Sequence, residues 1–436
     1  MNKILIIYPH FPPSNLAGVH RPRLFATHLP AFNWEPILLT VHEKYYEEKP
    51  DWNLVKLIPA DLRIIKVNAM KITKPRIIGD IGIRGFFQLY KAAKQIILNE
   101  KIDFLYIPVP SFYVALLGRW LNMTTGIRYG IDYIDPWVHQ FPGSNKFFSR
   151  HWLSTKLAGT LERIAVKNAE LITGVAAGYY EKVLERNPHL RTNAVVGAMP
   201  YGGEMSDHSA VSFLNIKPYL FARKENKLLL VYAGAMLPKA YKPLKSIFRA
   251  IKTDHEIYAK VEFHFVGTGK TPDDINGFNI KSLAEQYGLW NDIVFEHPRR
   301  IPYLDVLVHL EQADGIFILG STEPHYTPSK VYQGVLSNKP VFAVLHHAST
   351  ASAVLEKSRS GIVLNFNGEE DVATIEQRFT SAFQKFRSFI NSFSADDVDK
   401  NAFSAYSAKS VTEKLAGLLN RVLHLKPAKG SVKING

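Results

Sequence analysis

The residues with the clearest chemical pattern lie within residues 315–345, where an apolar strand, a polar loop, a helix and a second apolar strand are predicted in succession. Pro328 suits the first turn of the helix, because the N–H that proline lacks would have no partner there. Thr327 is predicted to cap the helix, and Ser329 and Lys330 add a hydroxyl and a cation to its first turn. Free N–H groups, the helix dipole and a lysine predict a site for a nucleotide diphosphate. An ordinary strand–helix turn with polar surface residues is the alternative.

This stretch resembles the retaining family 4 glycosyltransferases, whose fold is GT-B. Members often carry Thr-Pro-Ser-Lys, a hydrophobic residue, an aromatic residue and Glu, followed later by Gly-Lys-Pro-Val. Here residues 327–333 are TPSKVYQ and residues 337–341 are SNKPV. The resemblance implies that the residue after the aromatic binds the donor ribose and that an earlier acid faces the donor sugar. Those places are held by Gln333, where the family has Glu, and by Glu323, ten residues earlier, where the family usually has a spacing of eight.

A second candidate region follows the first predicted strand, residues 3–8. Its polar loop ends in Gly18, and the helix predicted from residue 19 to residue 29 carries Arg21. A glycine near the start of a helix allows the backbone to approach a phosphate closely, although helix-entry geometry alone also accounts for it. The loop resembles the first loop of the family 4 enzymes, which implies that Gly18 and its neighbours, Arg21 among them, contact the donor diphosphate or the acceptor. Arg21 as a solvated helix charge is the alternative.

Two aspartates, Asp132 and Asp135, lie at the end of a strand predicted over residues 127–134, in the segment Asp-Tyr-Ile-Asp-Pro-Trp. Carboxylates at the carboxyl end of a parallel strand lie where α/β folds place their ligands. The segment resembles the Asp-x-Arg-Asp-Pro-Trp of many family 4 members, with Ile134 in place of Arg. The resemblance implies a position near the transferred sugar, which makes Asp135 and the nearby His139 catalytic candidates. A turn-capping aspartate and a surface histidine are the alternatives. No third convergent ligand accompanies Asp132 and Asp135, so no metal site is predicted.

The loop over residues 233–242 follows the first strand of the second half. Retaining GT-B enzymes often place an Arg and a Lys here against the donor phosphates. Ala235 stands near the Arg position, Lys242 is the better match for the Lys, and Lys239 is the other choice. A cation there would stabilise charge on the leaving phosphate, whereas two solvated lysines are the alternative. Two strand-end glycines in this loop and in a Val-Gly-Thr-Gly segment complete the predicted donor-binding set, Gly234 and Gly267.

The composition excludes several classes of protein. There are no cysteines, which rules out disulfides, thiolate catalysis and cysteine-ligated metals. A hydrophobic content of 46% is ample for buried cores and argues against a mostly disordered chain. No apolar run reaches the ~18–20 residues that span a bilayer. The apolar run near the N-terminus is too short for a secretory signal, and we therefore expect a cytoplasmic protein.

The net charge of +14 is concentrated in the first half of the chain. Residues 1–200 hold 25 Lys and Arg against 15 Asp and Glu, a difference of +10. Within residues 63–101, nine cations face two acids, Asp80 and Glu100. This bias predicts an anionic partner, and for the basic segment as a whole we favour a membrane surface at its inner face. For the helix predicted over residues 83–98 we favour a core-packed helix with a solvated basic side over one that lies on a membrane. No nucleic-acid-binding motif accompanies the patch, so nucleic acid is not an expected partner.

Strands alternate with helices along most of the chain, which predicts an α/β fold with parallel sheets. With the family resemblance, this implies two Rossmann-like domains facing across a cleft, and a C-terminal helix that crosses back to the first domain. The expected division is an acceptor-side domain over 1–200, a linker over 201–227, a nucleotide-sugar domain over 228–400, a crossing helix over 401–425 and a disordered tail over 426–436.

The resemblance implies transfer of a sugar from a nucleoside-diphosphate sugar to a lipid-linked or polysaccharide acceptor, with retention at the anomeric carbon. Bacterial surface polysaccharide synthesis is the expected setting, and no cofactor is expected. Two alternatives stay open. A non-catalytic GT-B scaffold protein is favoured by Gln333, Ala235 and the altered spacing of Glu323. A nucleotide-sugar 2-epimerase would need more acid–base carboxylates than the sequence places.

Overall fold

The computed structural model describes residues 1–73, 78–138, 147–271 and 273–425. Two compact units make up the chain: Met1–Pro200 with Ala408–Gly436, here unit 1, and Tyr201–Ser407, here unit 2. The C-terminal helix therefore returns to unit 1, as the predicted fold class requires. Candidate residue His139, two cations of the basic segment (Lys74 and Arg76) and the tail 426–436 lie outside the described residues.

Unit 1 is built on a seven-stranded parallel sheet with the order β3-β2-β1-β4-β5-β6-β7. Helices cover parallel sheets on both faces, so their strands are continuous apolar runs, and β4 is buried along its whole length. The strands are β1 (Asn2–Ile7), β2 (Trp34–Val41), β3 (Arg63–Val67), β4 (Phe104–Val109), β5 (Tyr129–Tyr133), β6 (Leu171–Gly174) and β7 (Val195–Ala198). Residues pair in parallel register, for example Leu5 with Ile37 on the neighbouring strand.

Unit 2 repeats this plan with six parallel strands in the order β10-β9-β8-β11-β12-β13. The strands are β8 (Leu228–Ala233), β9 (Val261–Val266), β10 (Val294–His297), β11 (Gly315–Leu319), β12 (Val341–His346) and β13 (Gly361–Phe366). Two α/β units with parallel sheets confirm the predicted fold class.

Helices connect the strands and bury one apolar face each. In unit 1 and on return to it they are α1 (His20–His28), α2 (Trp52–Val55), α3 (Ile81–Arg84), α4 (Phe86–Asn99), α5 (Ala115–Thr125), α6 (Arg150–Val166), α7 (Ala177–Arg186), α8 (Leu190–Asn193) and α18 (Ala408–His424). In unit 2 they are α9 (Met205–Phe213), α10 (Tyr241–Thr253), α11 (His255–Tyr258), α12 (Lys281–Gln286), α13 (Tyr303–Gln312), α14 (Lys330–Leu336), α15 (Thr350–Ser358), α16 (Val372–Ser392) and α17 (Lys400–Ser404). No helix in the described part of the chain is both long and apolar enough to span a bilayer.

Helix α18 is fixed to unit 1 by an apolar stripe and by two polar contacts. Val411, Leu415 and Leu419 recur every four residues and pack into the core formed by β1, β2 and β4. The Trp34 indole N–H donates to the Asn420 side chain at 3.0 Å. The Arg128 guanidinium donates to carbonyls at the end of α18, where the helix dipole favours a cation.

Helix α14 begins later than the sequence predicts. It starts at Lys330, with Ser329 in the N-cap position and no side-chain capping bond. The prediction that Thr327 caps this helix is wrong, because its hydroxyl lies 2.8 Å from the hydroxyl of Thr350 on the neighbouring helix. The chain from residue 320 to Ser329 is therefore a loop held to the start of α15, not the first turn of a longer helix.

Three histidines of unit 2, two buried (His264 and His309) and one half-buried (His297), surround Phe221. The ring centroid of Phe221 lies 4.1 Å from that of His264, 5.2 Å from that of His297 and 5.1 Å from that of His309. His309 Nε2 accepts the backbone N–H groups of Tyr219 and Leu220, each at 3.1 Å. Burial lowers the pKa of all three histidines, and for His297 the pKa falls to about 4. The neutral imidazoles thus hold the segment before β8 against the sheet.

Unit 2 is expected to lose stability as the pH falls from about 6.5 towards 4, because the unfolded chain binds protons on these histidines that the folded chain does not. The loss at pH 4.5 should be roughly 1–3 kcal/mol. His297→Gln keeps a hydrogen-bonding side chain but does not titrate, so its urea midpoint should depend less on pH than that of the wild type. The matched control is His189→Gln, at an exposed histidine of unit 1. Equal pH profiles for His297→Gln and the wild type would contradict this assignment.

Candidate functional site

In unit 2, strand order reverses between β8 and β11, which pair in parallel through Gly315 with Leu230 and Ile316 with Val231. The loops that follow these two strands leave the sheet at the same edge, on opposite sides of the reversal. In open α/β sheets, ligands bind in the crevice that such a reversal creates. The loops after β8 and β11 contain Lys239, Glu323 and Ser329, and the first turns of the helices that follow them, α10 and α14, contain Lys242 and Lys330. The fold therefore places these predicted residues at one edge.

The loop after β8 and the loop after β11 are in direct contact. Lys239 Nζ lies 3.1 Å from a carboxylate oxygen of Glu323, and the Thr322 N–H donates to the Lys239 carbonyl at 3.2 Å. Both charged side chains are partly exposed, so their attraction adds little to stability. A cation and a carboxylate thus stand together at the reversal point, accessible to a ligand.

Lys330 lies at the same edge of the sheet, near a second cation, Arg300. Its Nζ is 5.7 Å from the centre of the Tyr303 ring, a cation–π distance. Burial lowers the pKa of Lys330 to about 8, and the charge of the nearby Arg300 adds to this shift. Two cations held together in a sheltered place favour an anion between or beside them.

Gly267 follows β9 with a φ of 74°, in the left-handed region that favours glycine. A Cβ built on Gly267 would lie 4.0 Å from the Cα of Arg300, so the loops after β9 and β10 run side by side. Gly234, after β8, has a φ of 147° and donates its N–H to the Val266 carbonyl. Both predicted glycines thus lie at the carboxyl edge of the sheet of unit 2.

Lys242 and Gln333 have partners within unit 2. Lys242 forms an exposed ion pair with Glu369, and this partner lowers the pKa of the Glu369 carboxyl. Gln333 is buried, and its side-chain oxygen lies 3.1 Å from His208 Nε2. His208 Nδ1 in turn lies 2.9 Å from a carboxylate oxygen of Glu311. Gln333, which the resemblance assigns to the donor ribose, therefore contacts His208 of helix α9.

In unit 1 the strand order reverses between β1 and β4, and Gly18 lies in the loop after β1. A Cβ on Gly18 would overlap the Tyr8 hydroxyl and would lie 3.6 Å from Pro110 in the loop after β4. Asp135 is exposed and lies near Tyr8. Burial is the main cause that raises the pKa of Tyr8, and the negative charge of Asp135 raises it further. Gly18 and Asp135 thus share this edge, whereas their predicted partner His139 is outside the described residues.

Gly18→Ala is expected to lower the stability of unit 1 by about 1–3 kcal/mol, because the added methyl meets the buried hydroxyl of Tyr8. Thermal unfolding measures the change. The double variant Gly18→Ala, Tyr8→Phe removes the colliding oxygen and should recover most of the loss. Gly159→Ala is the matched control, because a Cβ there meets no atom within 4 Å. A loss in the control as large as that in Gly18→Ala would show that the collision is not the cause.

Arg21 is buried in unit 1, 2% exposed, and forms a bidentate ion pair with Asp132, which has no exposed surface. Its third contact is the Pro200 carbonyl, which accepts from Nη1 at 2.9 Å. Thr173 also donates to the Asp132 carboxylate, at 2.8 Å. These contacts tie α1, β5 and β6 together, so the arrangement of Arg21 is that of a structural ion pair.

Sequence reasoning missed a polar cluster that joins the loop after β1 to the segment after β2. His10 Nδ1 lies 3.0 Å from a carboxylate oxygen of Glu48, and the Ser14 hydroxyl donates to the same oxygen. Burial tends to raise the pKa of Glu48, but the bonds from His10 and Ser14 outweigh it and lower that pKa to about 2. An imidazole oriented by a fixed carboxylate is an arrangement that general bases use. His10 and Glu48 are 38 positions apart, so no local motif marks the pair.

No protein-family model and no curated protein matches this sequence. Solved structures match along nearly the whole chain. Sucrose-phosphate synthase from Thermosynechococcus elongatus is 14% identical with a TM-score of 0.64, over 97% of this chain and 99% of that one. A glycosyltransferase from Rickettsia africae is 15% identical with a TM-score of 0.60, over 98% and 99% of the two chains. HepE from Anabaena, in complex with UDP-glucose, is 13% identical with a TM-score of 0.60, over 96% and 99%.

The chain has the GT-B fold. The likeness extends over both units at identities of 13–15% in these three structures, so it establishes the fold and leaves the chemistry to be argued from the residues. In the GT-B fold of this chain, the sheet edge of unit 2 carries Lys239, Glu323 and Lys330, and the sheet edge of unit 1 carries Gly18 and Asp135.

Proposed function

We propose that this GT-B protein is a glycosyltransferase that takes its sugar from a nucleoside-diphosphate sugar. The observation that carries the proposal is the convergence of Lys239, Glu323, Arg300 and Lys330 at the carboxyl edge of the sheet of unit 2. Cations at the reversal of an α/β sheet suit a diphosphate, and a carboxylate beside them suits sugar hydroxyls. The solved structure of HepE with UDP-glucose, a GT-B neighbour, supports a donor of this class.

The proposed role of the cations follows from the charge that develops during transfer. As the bond between sugar and diphosphate breaks, negative charge grows on the leaving phosphate, and fixed cations stabilise that charge most where water is scarce. Lys330 is the more sheltered cation, since burial lowers its pKa. Lys239 is bound to Glu323, so a diphosphate would offer it a second anionic partner. We assign Lys330 and Lys239 to the donor phosphates and Glu323 to the donor sugar.

The proposed transfer proceeds with retention at the anomeric carbon. In this mechanism no carboxylate of the protein acts as the nucleophile, and the leaving phosphate accepts the proton of the acceptor hydroxyl. The transition state has oxocarbenium character, so its positive charge lies next to the departing diphosphate. Asp135 and Gly18, on the carboxyl edge of unit 1, are assigned to the acceptor side. Lys242, on the first turn of α10, is assigned to the charge of the leaving phosphate.

A lipid-linked or glycan acceptor of a bacterial surface polysaccharide, used at the inner face of the membrane, completes the proposal. The positive charge of the basic segment 63–101 supports such an acceptor, and other groups of unit 1 pair with part of that charge. Arg63 donates to Glu100 through two bonds, and Lys66 pairs with Glu43. Arg84 is buried against backbone carbonyls. Arg63, Lys66 and Arg84 are therefore already held by groups of unit 1.

A non-catalytic GT-B scaffold is the second candidate, favoured by the contact between Gln333 and His208 at a buried place. Isothermal titration with UDP-, GDP- and ADP-linked sugars, followed by NMR analysis of products, separates the possibilities. Donor binding with release of the nucleoside diphosphate and an α-linked product from an α-linked donor supports the proposal. Binding with no turnover in the presence of lipid-linked acceptors supports the scaffold, and a sugar inverted at C2 supports an epimerase.

A further inference from the structure

Helix α6 exposes a row of apolar side chains to solvent. Leu153, Leu157 and Ile164 are 50%, 54% and 43% exposed, although leucine and isoleucine are usually buried. Their spacings of four and seven residues place them within about 40° of one another on the helix surface. The inner face of α6 instead carries Glu162, Ala165 and Val166, all of which are buried. The outer row is thus separate from the face that packs on unit 1.

Two aromatic residues extend this row just before α6 begins. Phe147 and Phe148 are each 71% exposed. Their ring centroids lie 4.4 Å apart, and both contact Trp152 on the first turn, at 4.8 Å and 5.7 Å. The aromatic cluster therefore lies at the N-terminal end of the helix that carries the exposed apolar row. We call Phe147, Phe148, Leu153, Leu157 and Ile164 the outer face of α6.

Cations flank the outer face. Lys156, Arg163 and Lys167 form a neighbouring row on one side, Arg150 lies on the other, and all four are exposed. Lys156 Nζ lies 5.9 Å from the Trp152 ring, so it adjoins the aromatic end. The one acid within residues 150–167 is Glu162, which is buried and bonded to Arg186 through both of its oxygens. The charge presented by this helix to solvent is therefore positive.

We propose that the outer face of α6 docks on the surface of an anionic lipid bilayer. An apolar row between cations lets the leucines and phenylalanines enter the acyl boundary while the lysines and arginines reach the headgroups. Aromatic side chains concentrate at this depth of a membrane, and anionic lipids attract clustered cations. A protein partner would need acids placed opposite each cation, whereas an anionic bilayer supplies negative charge everywhere. The inference goes beyond sugar transfer and does not depend on it.

Flotation of the full chain with phosphatidylcholine vesicles that contain 30% phosphatidylglycerol tests the proposal. The wild type should float with these vesicles, and binding should fall at least tenfold with pure phosphatidylcholine. Leu157→Ser combined with Phe148→Ser should lower the partition coefficient at least tenfold. Lys156→Glu combined with Arg163→Glu should lower it as much on anionic vesicles and remove the dependence on salt. Because the substituted side chains are exposed, thermal unfolding should stay unchanged.

Matched controls lie on unit 2. Phe213→Ser removes a side chain that is 87% exposed, and Lys252→Glu reverses an exposed cation, so both should bind vesicles as the wild type does. Absence of wild-type binding, or equal binding by the α6 variants, would overturn the proposal. Self-association of the wild type that Leu157→Ser abolishes, without vesicle binding, would identify a protein interface and overturn it as well. No donor or acceptor enters the assay, so its result is independent of the proposed activity.

Discussion

Lys330→Gln is expected to weaken binding of a nucleoside diphosphate about 10- to 100-fold, the loss of one charge-assisted contact of about 1.5–3 kcal/mol. The reason is the sheltered position of Lys330 beside Arg300, where burial lowers its pKa. Isothermal titration of the full chain with UDP, GDP and ADP measures the effect. The matched control is Lys339→Gln, a lysine beyond the opposite end of α14, which should bind as the wild type does.

The pH dependence of binding sharpens this test. With a pKa of about 8, Lys330 loses its charge just above neutral pH when no ligand is bound. An anion prefers the protonated form, so affinity should fall about tenfold between pH 7 and pH 9 in the wild type. In Lys330→Gln that decline should be smaller. A variant with the affinity and the pH profile of the wild type would show that Lys330 does not contact the diphosphate.

Asp132→Asn is expected to destabilise unit 1 by about 3–5 kcal/mol, because it leaves the buried guanidinium of Arg21 without a charged partner. Urea unfolding followed by tryptophan fluorescence measures the loss. The double variant Arg21→Met, Asp132→Leu removes both charges and should recover most of it, since apolar residues of similar volume often replace a buried pair without cost.

An exposed ion pair provides the matched control. Arg191 pairs with Glu181, and the two side chains are 49% and 43% exposed. Arg191→Met should cost less than about 1 kcal/mol, because water already screens this pair. If Asp132→Asn cost no more than Arg191→Met, the Arg21–Asp132 pair would not be a structural tie between α1 and β5.

Local pattern was enough for most of the fold. Continuous apolar runs predicted strands such as β1 and β11, because parallel strands are buried on both faces. Strand β13 was not predicted, and α9 lies inside the predicted linker. Helix α9 has a polar sequence, and its side chains are fixed by partners far along the chain: Asp207 accepts from the Tyr303 hydroxyl, and His208 contacts Gln333. Such partners leave no trace in a local pattern.

For the candidate site too, single residues could be predicted from the sequence, but the contacts between distant residues could not. A strand end followed by glycine or lysine could be located in the sequence, and Lys239 and Glu323 were each predicted as site residues. That they touch could not be predicted, because their contact depends on which strands meet in the sheet. The ion pair between Arg21 and Asp132 spans 111 positions, and the contact between Gln333 and His208 spans 125. Without the fold, a buried structural arginine and a donor-binding arginine look alike.

A crystal structure of the full chain with its tightest-binding nucleoside-diphosphate sugar tests the central claim most directly. The account predicts diphosphate oxygens within about 3.2 Å of Lys330 Nζ or Lys239 Nζ, with the sugar against Glu323. A diphosphate bound away from the carboxyl edge of the sheet of unit 2, or a sugar that makes no contact with Glu323, would contradict it.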